Sequence, residues 1–183
     1  RNLGGALVMA PFALRHRANR SAMSWAALGG FVLAMHFIAF FLAMRLTTVA
    51  AGTALVALQP IFAALFLRIR GGHIPSRAWL GMVVSFSGVL LISGVDLTIS
   101  MRSFAGDVAA IISAALAAIY VLIGSKAQQS LETSTYTAIC YATCAVTALP
   151  IMLIGGFQIW NFSGNEWWLV IALIVFAQLL GHN

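Results

Sequence analysis

The stretch WAALGGFVLAMHFIAFFLAM, residues 25–44, is twenty residues long and carries no charged side chain. A helix rises ~1.5 Å per residue, so about twenty apolar residues cross a hydrocarbon core of roughly 30 Å. Lipid offers the backbone no hydrogen-bond partners, and a helix satisfies its own N–H and C=O groups locally. Six further apolar runs surround this one, at residues 3–14, 49–67, 78–95, 106–124, 136–156 and 167–180. Together they predict an all-α membrane protein, a polytopic helical bundle with about seven helices present.

Composition points the same way. The 183 residues are 62% hydrophobic and 8% charged, with mean hydropathy +0.99. A soluble domain is nearer a quarter charged, so a water-soluble fold is excluded. The net charge of +6 would suit a nucleic-acid partner, but its placement argues against one. Arg15, Arg17 and Arg20 fall in one loop, Arg68, Arg70 and Arg77 in the loop two crossings on, and Lys126 two crossings after that. The loops between hold Arg45 and Arg102, and residues 157–166 hold no Lys or Arg. This alternation is the positive-inside pattern. It assigns loops 15–24, 68–77 and 125–134 to the cytoplasm, with the lipid bilayer as the chain's partner and no nucleic acid. Trp25, Trp79, Trp160, Trp167 and Trp168 sit at run ends or in short loops, where indole rings anchor at the headgroup level.

The first run has only 12 residues, and the last stops at Gly181, His182 and Asn183 without a basic flank. The chain therefore reads as a piece of a longer membrane protein. A weak internal repeat is visible. Aligning Trp25 with Trp167 sets His36 opposite Gln178, and the loop before Trp25 is Arg-rich whereas the loop before Trp167 is not. The two copies would point in opposite directions, as in inverted-repeat transporters with a midplane site.

Polar side chains inside a span are costly unless they face the bundle or a wet cavity, so they are the candidate site residues. His36 lies mid-run on a small-residue face with Gly29, Ala39 and Ala43. It reads either as a substrate or proton contact or as a hydrogen-bonded packing residue. Gln59 precedes Pro60 in mid-run, and Pro60 cannot donate to the Val56 carbonyl, which predicts a helix break or hinge. Gln178 and His182 are four apart and share a helical face. Tyr120 shares one with Ser113, Ala117 and Gly124, and offers a ring and a hydroxyl to a ligand or to packing. Gly106, Ala110, Ala114 and Ala118 form a row suited to close helix contact. Asp107 stands at the start of that run, where a carboxylate caps a helix.

Cys140 and Cys144, four apart within a run, read as small packing residues, and no metal-ligand spacing occurs. No cofactor motif or catalytic constellation stands out, and Ser85, Ser87 and Ser113 lack a nucleophile motif. The chain is expected to have no metal, no cofactor and no enzymatic activity.

Four stretches carry a family resemblance. They are HFIAFFLAMRLTTVAAGTALVALQPIFAALF (residues 36–66), SRAWLGMVVSFSGVLLISG (76–94), GDVAAIISAALAAIYVLIG (106–124) and AQLLGHN (177–183). They resemble EamA-type transporters of the drug/metabolite transporter superfamily. The resemblance implies a ten-helix fold of two inverted five-helix repeats, of which these runs would be helices two to eight. Residues 1–95 would be an incomplete first repeat, 96–105 the linker and 106–183 an incomplete second repeat. It further implies a central cavity lined by His36, Gln59, Tyr120, Gln178 and His182. One departure stands out: the family commonly has Gly-Glu where this chain has Gly72 and His73.

The resulting expectation is a secondary transporter, an exporter of small organic metabolites or drugs working by alternating access. The alternatives are a non-transporting membrane assembly subunit and, further off, an intramembrane enzyme. A channel is disfavoured by the lack of a charged ring or filter motif.

Overall fold

The computed structural model describes residues 20–93 and 100–155, together with Gly4, Trp168 and Ala172. Its elements are α1 (Arg20–Leu46), α2 (Val49–Val56), α3 (Gln59–Ile69), α4 (Ser76–Ser93), α5 (Met101–Ala127) and α6 (Thr133–Ile154). Among the described residues, Arg20–Leu46, Val49–Ile69 and Met101–Ala127 are long and apolar enough to cross a membrane, and Ser76–Leu91 is a shorter apolar stretch. The runs at 3–14 and 167–180 lie outside the described residues, apart from Gly4, Trp168 and Ala172.

Side-chain size separates inside from outside in the manner of a membrane protein. Among the described residues, the largest side chains that are completely buried are only Cys140, Cys144 and Ser113. On α5 the buried positions are Gly106, Ala109, Ala110, Ser113, Ala114, Ala117, Ala118, Gly124 and Ala127, while Phe104, Val108, Ile111, Ile112 and Val121 are exposed. Water would reverse that order, because burying large apolar groups is what stabilises a soluble core. Lipid tails are as apolar as Leu, so helices associate through small residues that let backbones approach. The expected row Gly106, Ala110, Ala114 and Ala118 is buried throughout.

Local chemistry sets the helix ends. Thr48 caps α2, its Oγ1 accepting from the Ala51 N–H at 3.1 Å. Between α2 and α3 the helix is interrupted at Ala57 and Leu58, one turn before the point where Pro60 lacks its N–H. This is the break expected from the sequence. At the end of α3, Gly71 adopts φ +85°, the Gly71 N–H donates to Arg68 O at 3.0 Å and the Gly72 N–H to Leu67 O at 2.9 Å. That pair of bonds is a Schellman stop, and among the described residues the left-handed Gly71 in it is the one that needs glycine for its backbone angle. Exposed His73 sits in the turn that follows.

The start of α5 differs from the sequence reading. The helix begins at Met101, not Gly106, because Ser100 Oγ accepts from the Ser103 N–H at 3.0 Å and caps it. Residues 101–105 are therefore helical rather than linker. Asp107 is consequently not a cap: it lies in the second turn, and the first turn has no acidic residue.

The chain forms two compact units that do not follow chain order, Arg1–Ala34 with Ile123–Asn183, and Met35–Leu122. In the first unit α1 meets α6 through glycine. A methyl group on Gly30 would collide with the Cys140 backbone carbonyl and lie 2.8 Å from Thr143 Cβ. The Tyr136 hydroxyl fits between Gly29 and Gly124, where added methyl groups would lie 3.2 and 2.7 Å from it. Cys140 and Cys144 are buried and not joined in a disulfide. At the edge of this unit Lys126 Nζ lies 4.1 Å over the Trp25 ring, so the start of α1 and the end of α5 lie together.

In the second unit Ala43, Ala109 and Ala110 form a small core, with Met44, Leu55 and Val56 packed on it. The Thr47 backbone abuts Gly106, and the Arg102 guanidinium donates to Arg45 O at 3.1 Å. The 35–46 part of α1 and the 101–122 part of α5 run antiparallel.

Candidate functional site

The polar groups of the spans define the site, and His36 is the most constrained of them. Its Nδ1 lies 2.9 Å from both the carbonyl and the Oγ of Ser113, and that Oγ lies 3.2 Å from His36 O. A carbonyl only accepts, so Nδ1 carries the hydrogen and donates to Ser113 O, while the Ser113 hydroxyl donates to His36 O. The two residues thus tie α1 to α5 through reciprocal bonds. Phe37 and Phe40 flank the imidazole at ring-centre distances of 5.1 and 6.3 Å. Ser113 is completely buried and His36 half-buried. Of the two readings open in the sequence, this geometry supplies the hydrogen bonds of the packing role and fixes the ring for any contact it makes with a solute. Removing the hydroxyl in Ser113→Ala is expected to cost about 0.6 kcal/mol, with ~1.7 as a ceiling for such bonds. Thermal unfolding of the purified variant in detergent measures it; a loss well beyond that ceiling would mean that the pair holds more than its own hydrogen bonds.

Gln59 opens α3 and is half-buried, with no hydrogen-bond partner among the described residues. Tyr120 is half-buried on α5, two helical turns beyond Ser113. His36, Gln59 and Tyr120 thus come from three different helices of one unit. Gln178 and His182 lie outside the described residues.

Two features of this unit escaped the sequence reading. A groove of about 390 Å³ runs between the α2–α3 break and α4, lined by Pro60, Ile61, Gly81, Met82, Ser85 and Phe86 among others. Pro60 therefore borders open space as well as breaking the helix. The signal for the other wall was the spacing of Gly81, Ser85 and Gly88 on one face of α4, where methyl groups on either glycine would meet nothing within 4 Å. The second feature is Asp107, half-buried inside a span, whose buried Oδ1 has no partner among the described residues.

Residues 1–94, just over half of the chain, match the EamA-like transporter family. The chain belongs to that family. It is also 33% identical over 137 residues to a protein of Archaeoglobus fulgidus described as an uncharacterized transporter, an alignment covering 74% of this chain and 46% of the relative. At 137 residues the similarity runs past the part matched by the family. The chain thus spans about half the length of that relative. No solved structure matches it.

Proposed function

We infer that the protein containing this chain is a secondary transporter that exports small organic solutes across the inner (plasma) membrane by alternating access. The observation that carries this reading is the break at Ala57 and Leu58 within the apolar segment Val49–Ile69, beside Gln59 and an open groove. Discontinuous spans at a cavity wall recur in transporters because an unwound turn frees backbone groups for a solute and lets a helix bend. Family membership and the transporter description of the archaeal relative support it. On this reading residues 1–95 and 106–183 belong to two inverted repeats. His36, Gln59, Tyr120, Gln178 and His182 line the cavity between them, and Pro60 serves as the hinge.

The test is transport by the full-length protein in proteoliposomes, with a radiolabelled panel of amino acids, nucleosides and organic ions preloaded inside. Gradient-dependent exit of at least one solute is expected. Exit of none from folded, oriented protein would favour the assembly-subunit alternative.

Orientation has its own check. In a variant with Cys140 and Cys144 replaced by alanine, His73→Cys and Gln129→Cys should be shielded from a membrane-impermeant maleimide in intact cells, and Ser100→Cys labelled. The opposite labelling pattern would reverse the assignment of loops 68–77 and 125–134 to the cytoplasm.

A further inference from the structure

Every described Lys and Arg within a helix lies at its first, second or penultimate residue: Arg20, Arg45, Arg68, Arg77, Arg102 and Lys126. There a long side chain reaches water while its stem stays apolar. Asp107 breaks that rule. It is the seventh residue of α5, ~9 Å beyond the helix start, on a side chain too short to reach far. It heads the buried face of the helix, in line with Ala110, Ala114 and Ala118 at i+3, i+7 and i+11, each of them completely buried. Its Oδ1 is buried without a hydrogen-bond partner, and the carboxyl has no ion pair among the described residues. The nearest candidate in sequence, Arg102, donates to the Arg45 carbonyl at 3.1 Å instead.

An ionisable group within a span is expensive, and such groups mark solute and ion paths when they face the bundle interior. A carboxyl offers such a path a negative partner, and no counter-charge pairs with it among the described residues. We propose that Asp107 is the binding carboxylate for the positive group of an organic cation, which makes cationic solutes the substrate class. This rests on the transport reading above and goes beyond it by assigning both a residue and a charge. The solute's onium or ammonium group supplies the ion pair that Asp107 lacks among the described residues. Arg45 and Arg102, the charged groups at this end of α1 and α5, repel the solute unless it reaches past them to the carboxylate. That favours a cation carried on an apolar body over a small hydrated ion.

Tetraphenylphosphonium and tetraphenylborate have nearly the same size and shape and opposite charge, so they isolate the effect of sign. Their binding to the purified full-length protein in detergent is measured by calorimetry, for wild type, Asp107→Asn and Asp107→Glu. Melting of each variant without probe verifies folding. Wild type is expected to bind the cation saturably and the anion not at all. Asp107→Asn should weaken cation binding at least about tenfold, and Asp107→Glu should restore most of it. Equal cation binding by wild type and Asp107→Asn, a preference for the anion, or no saturable cation binding would each overturn the assignment. Because binding is read without transport, these results stand apart from the proteoliposome experiment: a cation site in a protein that moves nothing would overturn only the transport reading.

Discussion

Gly30→Ala should be among the most destabilising single substitutions in the described part of this chain, although it adds one methyl group. The obstacle is backbone: the new Cβ would run into the Cys140 carbonyl and lie 3.1 Å from its carbon, with Thr143 Cβ at 2.8 Å. Neither can rotate away, so α1 and α6 must separate. Overpacking a tight site costs typically ~1–3 kcal/mol, and a rigid obstacle belongs at the upper end. The gain of about 1 kcal/mol that alanine brings to a helix over glycine is too small to offset this. Two other glycines make the comparison sharp. At Gly81 an added methyl meets nothing within 4 Å, so Gly81→Ala should be neutral or stabilising by up to ~1 kcal/mol. At Gly52 the methyl meets the mobile Met44 Cε, which can move aside, so a small effect is expected. Thermal unfolding of the three variants in one detergent gives the order. If Gly30→Ala melts with or above wild type, the α1–α6 contact is not set by this glycine.

That contrast shows what the sequence discloses and what it hides. Apolar length announces a span, because lipid imposes it on every crossing alike. So α1, the α2–α3 pair, α4, α5 and α6 were legible, as was the break before Pro60, which follows from a missing N–H and needs no neighbour. Which glycine is crowded depends on the other helix. Gly29, Gly30 and Gly81 look equivalent in the sequence and meet Tyr136, Cys140 and empty space respectively. His36 and Ser113 are 77 residues apart, and nothing in either run names the other as its partner.

Asp107 was misread for a different reason. Counting apolar residues starts the helix at Gly106, because Arg102 and Ser103 interrupt the run. The backbone follows its cap instead, and Ser100 starts the helix five residues earlier. A carboxylate that reads as a cap in one register is an embedded charge in the other. The error was one of boundary, and it moved a residue from an ordinary class to a costly one.

Pro60→Ala should move stability and transport in opposite directions. Alanine restores the N–H that Pro60 lacks and relieves the clash of its ring with the Val56 carbonyl, allowing α2 and α3 to join as one helix over Val49–Ile69. An interior proline costs ~3 kcal/mol relative to alanine in an aqueous helix, so the variant should melt higher than wild type. The wild-type sequence forgoes that stability and keeps a break, where a helix can bend, beside a groove of about 390 Å³ that Pro60 itself lines. If the bend opens and closes the site, straightening it raises the barrier to the conformational step; ~1.4 kcal/mol already slows a rate tenfold. Transport per folded molecule should therefore fall at least about tenfold in Pro60→Ala. Pro60→Gly separates bending from proline as such, since glycine restores the N–H but leaves the backbone free to bend. It should recover a substantial part of the lost rate. A Pro60→Ala protein that melts higher and transports as fast as wild type would reduce the break to a tolerated irregularity, and the hinge would have to lie elsewhere in the chain.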